Sequence, residues 1–195
     1  MIPRHAQIAL MLLLAGIFGS GLFILHLAHT HPNQVSTNSE LRFMPTSSGH
    51  AQPVTLTIAY DEDGLFRHRQ AMMSLPEEPG ARARQLLQTL IAEYVNKPSP
   101  HPLADGAAVN NVFFVNPELA VIDLNQKLAD GHRSGIMVED FTLLSLIETL
   151  ADNFPQVQRV RILVNGQTRE TLAGHVDLTH AYSTIVVHKI VEQLE

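Results

Sequence analysis

The apolar and polar positions divide the chain into one uninterrupted apolar run, a polar stretch and a succession of short periodic segments. From Ile8 to Ala28 there is no Asp, Glu, Lys or Arg. A helix over that run would be about 31 Å long at about 1.5 Å per residue, close to the thickness of a bilayer's hydrocarbon core. Residues 1–29 are therefore predicted to form an N-terminal transmembrane signal anchor. The alternative is a cleaved signal peptide, whose apolar region is usually shorter, about 7–15 residues. Residues 30–52 are rich in Ser, Thr, Asn, Gln and Pro, lack an apolar period and read as a flexible polar linker.

Beyond the linker the spacing turns regular. Leu56, Ile58 and Tyr60 alternate with Thr55 and Thr57, which predicts a half-buried strand. The acidic turn "DEDG" (61–64) and a second extended segment (65–75) follow. Ala83, Leu86, Leu87, Leu90, Ile91, Tyr94 and Val95 then recur at three and four, an amphipathic helix begun near Pro79 and ended before Pro98. Residues 97–106 form a Pro-rich loop, and 111–124 form a hairpin whose turn is preset by Pro117. With two glycines and several polar side chains, 125–138 reads as a mobile loop. A second helix spans 139–154, with Glu139 and Asp140 at its positive N-terminal end and Pro155 beyond it. A strand over 160–164 runs into the tight turn Asn165-Gly166 and returns through Leu172 to Leu178. Residues 183–195 form a C-terminal extension whose β-branched content suits a strand, whereas Val186, Val187, Ile190, Val191 and Leu194 fit a helical face, the reading preferred here. This order predicts an α+β fold over residues 53–182: a small two-layer sandwich with two helices on one face of a mixed three- to four-stranded sheet, preceded by one transmembrane helix.

Composition and charge narrow the function. The chain has 195 residues, 45% hydrophobic and 16% charged, enough for one ordinary domain and inconsistent with wholesale disorder. Its net charge is −6 and its 13 Lys and Arg are scattered, so no basic surface tracks phosphates and nucleic acid is excluded as a partner. There is no cysteine, hence no disulfide, no thiolate ligand and no lipoprotein cysteine; Ile17 stands where "LLAG" would place one. Arg4 precedes the span and no Lys or Arg follows it until Arg42, which predicts a single-pass inner-membrane protein with a cytoplasmic N-terminus and an extracytoplasmic or periplasmic domain.

The segment Val160 to Leu178 carries the most suggestive chemistry, since His175 and Asp177 lie one residue apart behind Gly174. Together they could act in acid–base chemistry, or with His180 hold zinc. No local framework supports either, and His68, His132, His175, His180 and His188 can meet only through folding. The zincin, nucleophile-elbow, P-loop and dinucleotide motifs are all missing. No catalytic, metal or cofactor-binding residue is assigned, and His175 and Asp177 are read as the hydrogen-bonded closing edge of the domain.

The segments "VTLTIAYDEDGLF", "LAVIDLN", "LIETLADNFPQVQRVRILVNGQ" and "LAGHVDL" together resemble the GerMN domain of sporulation and spore germination proteins, over about residues 53–182. The most specific parts are Thr149-Leu150, Phe154-Pro155, Val157, Val160, Ile162-Leu163-Val164 and Gly166, then Gly174-His175, Asp177 and Leu178. Asn165, Gly166, Gly174, His175 and Asp177 are accordingly read as structural motif positions. The resemblance implies a ring-building-like fold, a place in the bacterial envelope and no established catalytic residues. A single domain copy behind a transmembrane span departs from the tandem, lipid-anchored arrangement known in the family, so a literal sporulation role is not carried over. The expectation is a non-enzymatic, membrane-anchored module that binds an envelope protein or a second copy of itself. The alternative is a peptidoglycan-binding regulator of cell-wall hydrolysis, although Tyr60, Tyr94 and Tyr182 are the only tyrosines and Trp is absent.

Overall fold

The structure, a computed structural model, describes residues 51–195. The predicted span from Ile8 to Ala28 and nearly all of the linker lie outside the described residues, and no described helix is long and apolar enough to cross a membrane. Strands β1 (Ala51–Tyr60) and β2 (Leu65–Ser74) form an antiparallel hairpin paired from Ala51↔Ser74 to Tyr60↔Leu65. Strand β1 thus begins two residues before the expected boundary at Pro53.

Helix α1 (Pro79–Val95) follows the predicted stripe, burying Ala83, Leu86, Leu87, Leu90, Ile91 and Tyr94. Its start is fixed by Pro79 in the first turn and by the Glu78 carboxylate, which accepts from the Gly80 and Ala81 N–H groups. Strands β3 (Val109–Asn116) and β4 (Leu119–Leu124) form the expected hairpin, with Asn116 Oδ1 accepting from the Glu118 and Leu119 N–H groups across the turn.

Helices α2 (Gln126–Asp130) and α3 (Ile136–Asn153) lead to β5 (Arg159–Val164), which pairs parallel to β4. The short strand β6 (Ala181–Ser183) adds antiparallel to β5, and α4 (Thr184–Glu192) ends the fold. The result is an α+β domain with a mixed four-stranded sheet in the order β3-β4-β5-β6. Ala120, Ile122 and Leu124 on β4 lie opposite Val160, Ile162 and Val164 on β5, and all six are buried on one face. Hydrophobic burial of such facing rows is the main favourable term in holding the layers together.

Four expectations are corrected. The first strands do not join the main sheet; they form a two-stranded sheet of their own. The reason is visible on the edge of β1 that faces away from β2. The Thr55 N–H donates to Asn153 Oδ1 (3.1 Å), the Thr57 N–H to Thr149 Oγ1 (2.9 Å) and the Ala59 N–H to the Tyr94 hydroxyl oxygen (2.9 Å). Side chains of α3 and α1 have taken the places of a neighbouring strand. Helix α3 consequently packs against β1 as well as against α1 and α4, and every residue from Phe141 to Leu150 is buried. One sheet face could not cover a helix all round, so the two-layer expectation fails there.

The second correction concerns 125–138, read as a mobile loop. It contains α2, started by Asn125, whose Oδ1 accepts from the Leu128 N–H at 2.9 Å. Third, the return through Leu172 to Leu178 is not a strand. It makes a single bridge, Thr171↔Asp177, with Leu172 and Leu178 fully buried. Fourth, residues 183–195 are built into the domain: Val187 and Val191 are buried, and the Phe66 N–H donates to Leu194 O at 2.7 Å. Val186 and Ile190, expected on the packed face, are exposed.

Candidate functional site

Three polar arrangements stand out in the domain. The first joins the start of α3 to the closing loop. Glu139, in the first turn of α3, has 0% exposure. Its Oε2 accepts from the N–H groups of Ala173 (3.0 Å), His175 (3.1 Å) and Val176 (3.0 Å). Its Oε1 accepts from the Gly135 N–H (3.2 Å) and lies 2.9 Å from His175 Nδ1. Burial works to raise the carboxyl's pKa, but the N–H of Val176, the His175 ring and the N–H groups of Ala173 and His175 together bring it down to about 2. The carboxylate therefore serves as a buried anchor for the loop, with Gly174 at φ 121 letting the chain bend around it.

His175 is thus bonded to Glu139 and not to Asp177. Asp177 accepts from the Thr179 N–H (2.7 Å), faces His180 Nδ1 (3.2 Å) and receives the Tyr182 hydroxyl on its backbone oxygen. The zinc trio of His175, Asp177 and His180 does not converge, and among the described residues no group of three or more His, Asp or Glu is placed to hold a metal ion. Ser134 Oγ lies 3.3 Å from His175 Nδ1, the same ring nitrogen that meets Glu139. In a Ser-His-acid triad the serine and the acid bond opposite nitrogens of the ring, so this trio, with both on Nδ1, lacks triad geometry.

The second arrangement lies in the interior. His101, in the Pro-rich loop, and Thr142, on α3, both have 0% exposure. Asp61 Oδ1 is 2.6 Å from His101 Nδ1, and His101 Nε2 is 2.6 Å from Thr142 Oγ1. His132 Nε2 reaches the same hydroxyl at 2.6 Å, while its Nδ1 lies 2.7 Å from Arg133 O. Arg133 closes the chain by donating to Asp61 Oδ2. Burial pushes the Asp61 carboxyl up, but His101 and Arg133 hold it below its ordinary value. Burial lowers the His132 imidazole.

One hydroxyl proton cannot serve two imidazoles, so at least one ring presents its own N–H to Thr142, whose hydroxyl also lies 3.2 Å from Val138 O. The acid–imidazole–hydroxyl order is that of a nucleophilic site, but the hydroxyl has no exposed surface and sits inside a helix. Its chemistry is that of a cross-brace tying the 61–64 turn, the Pro-rich loop and α3 together.

The third arrangement surrounds the Asn-Gly turn. Asn165 (φ 49) and Gly166 (φ 71) make the tight bend after β5, and the Gly166 N–H donates to Asp123 Oδ1 at 2.7 Å. Asn110 Nδ2 donates to Asn165 Oδ1 (3.2 Å), as does the Gln126 N–H (3.2 Å). This turn borders an open cleft of about 700 Å³ lined by Arg84, Gln88, Asn110, Asn111, Asp123 and Asn165 among others. The cleft is rich in carboxamides and poor in aromatic surface.

Glu139, Asp61, His101 and Thr142 are not singled out by the sequence motifs. A faint signal exists for Glu139, which shares the helical register of the buried Leu143, Leu146 and Leu150. His101 has none, since its partners lie 40 and 41 residues away.

No curated protein matches the chain. Among solved structures it is similar to the first GerMN domain of the sporulation protein GerM from Bacillus subtilis, at 19% identity and TM-score 0.51, covering 68% of this chain and 97% of that one. It is also similar to the tandem GerMN domains of the same protein, at 17% identity and TM-score 0.52, covering 69% of this chain but 46% of that one. At such identity these likenesses establish the fold alone. Residues 55–170 match the Germane family, described as "Sporulation and spore germination". With more than half of its 195 residues inside that match, the chain belongs to the Germane (GerMN) family.

Proposed function

We propose that the protein is a non-enzymatic module of the bacterial envelope, held in the membrane by the span from Ile8 to Ala28 with its domain outside the cytoplasm. It works by binding an envelope protein or a second copy of itself. The observation that carries this reading is the outer face of the four-stranded sheet. Phe113 is 52% exposed and Val115 is 65% exposed. Phe113 pairs with Val121, and Val121 with Arg161, so an apolar strip with a cationic margin runs across the strands opposite the buried rows. Exposed apolar side chains gathered on one sheet face mark a surface for a partner. The GerMN domain's likeness to ring-building modules favours the same kind of role. The enzyme reading is disfavoured by the two histidine arrangements, one sealed from solvent and one with both partners on a single ring nitrogen.

The test is photo-crosslinking in intact cells from a reactive residue placed at Phe113. A discrete crosslinked product that disappears when Val115→Glu is added, with the melting temperature unchanged, is the expected result. Recovery of the uncrosslinked chain alone would refute the proposal. The second reading, peptidoglycan binding, draws on the amide-rich cleft beside Asn165. It predicts sedimentation of the protein with purified sacculi, weakened by Asn111→Ala; a protein that stays in the supernatant would eliminate it.

A further inference from the structure

Helix α4 is held on α3 by little apolar surface and by a concentrated cluster of charge. Val187 and Val191 are buried between the helices, whereas Ile185, Val186 and Ile190 remain exposed on the other side of α4. At the seam His188 Nδ1 lies 2.6 Å from Glu148 Oε1, and His188 Nε2 lies 3.3 Å from Glu192 Oε1. Glu148 is 1% exposed, and its other oxygen, Oε2, has no hydrogen-bond partner among the described residues. One turn further along α3, Asp152 Oδ2 lies 3.5 Å from His68 Nδ1 on β2 and 3.4 Å from the Thr57 hydroxyl on β1. His68 Nε2 in turn lies 2.6 Å from Glu195 Oε1 at the chain's end.

Six titratable groups therefore meet where α3, α4, β2 and the C-terminal residue join: Glu148, Asp152, His188, Glu192, His68 and Glu195. Four carboxylates share two imidazoles, so the cluster carries excess negative charge unless protons are bound. A buried carboxylate oxygen without a donor is costly in its ionised form.

We propose that α4 is a proton-operated latch, docked on α3 when this cluster takes up protons and loosened as the pH rises. The titration behaviour of three members points the same way. Burial raises the pKa of Glu148 and that of Asp152. The bond to Glu148 raises that of His188. Each of the three binds its proton more tightly docked than free, so docking takes up protons. The contribution of His188 is fully present below about 6.5 and is lost as the pH rises through its raised value. The two carboxyls add a penalty that grows as they ionise. Opening the latch would uncover Val187 and Val191 beside the already exposed Ile185 and Val186, turning α4 into a helix apolar on both sides.

Hydrogen exchange of the full-length chain in detergent micelles tests this, with rates corrected for the intrinsic pH dependence of exchange. Peptides covering β4 and β5 serve as the internal reference. Protection of the 184–192 amides is expected to fall severalfold between pH 5.5 and 8. The β4 and β5 amides should not change. Both His188→Gln and Glu148→Gln should flatten the α4 profile, the second by keeping the helix protected at high pH. The latch is overturned if α4 protection is flat in the natural chain, if it falls in step with β4 and β5, or if both variants keep the natural slope.

Discussion

Replacing Glu139 by Gln isolates what one buried charge does for the closing loop. The substitution keeps the shape of the side chain but removes the charge that attracts four backbone N–H groups and the His175 ring. In the folded chain the Glu139 pKa is about 2, against an ordinary 4.5. At about 1.4 kcal/mol per unit, the folded state favours the ionised form by about 3 kcal/mol. The carboxylate lies close beneath the surface, so solvent screening makes this an upper bound. A depressed folded pKa means that the contribution is complete above about 4.5 and is lost as the pH falls from there toward 2.

Urea denaturation of the natural chain and Glu139→Gln, followed by far-ultraviolet circular dichroism from pH 7 to pH 2, reads this directly. The stability gap between them should narrow by between about 1 and 3 kcal/mol over that range, and the change should fall below pH 4.5. The amide's mismatch with the N–H donors leaves a residual gap at pH 2. A gap that does not change with pH, or one below about 1 kcal/mol at pH 7, would refute the assignment of Glu139 as the anchor of the loop.

Two other substitutions probe the remaining arrangements. Thr142→Val should leave both imidazole Nε2 atoms of His101 and His132 without their shared hydroxyl, costing about 3 kcal/mol and lowering Tm by about 10 °C in a thermal melt; a change of only a degree or two would mean that the brace is not structural. Gly166→Ala should cost about 1 kcal/mol from the backbone alone, because φ is 71 and open space surrounds the position, whereas Gly166→Asn should recover much of that loss in the same melt.

Local periodicity and turn chemistry made much of the fold legible. The stripe of α1 from Ala83 to Tyr94 and the β3–β4 turn at Pro117 follow directly from spacing and residue type. What spacing could not supply were the decisions made by distant side chains. Strand β1 reads like any strand able to enter a larger sheet, and Asn153, Thr149 and Tyr94 withhold its edge. In α4 both Val187 and Val186 suit a helical face, and the choice between them depends on where α3 lies. Gly131 and Gly135 give the α2 segment the pattern of a loop, while the Asn125 cap carries the helix start signal. The candidate site was legible at His175 and Gly174 as a motif. Its true partner, Glu139, lies 36 residues upstream and looked like a helix-dipole charge.

The side-chain covering of β1 bears on how copies or partners can meet. A sheet with a bare edge recruits strands through its backbone, largely regardless of sequence, which is the route to uncontrolled polymerisation. Here one edge of the hairpin is occupied by Asn153, Thr149 and Tyr94, and the other strand carries the exposed run Arg67, His68, Arg69 and Gln70. Backbone templating is therefore closed along β1 and opposed by charge along β2. Whatever meets this domain there must be read by side chains, and can be turned away by a single substitution.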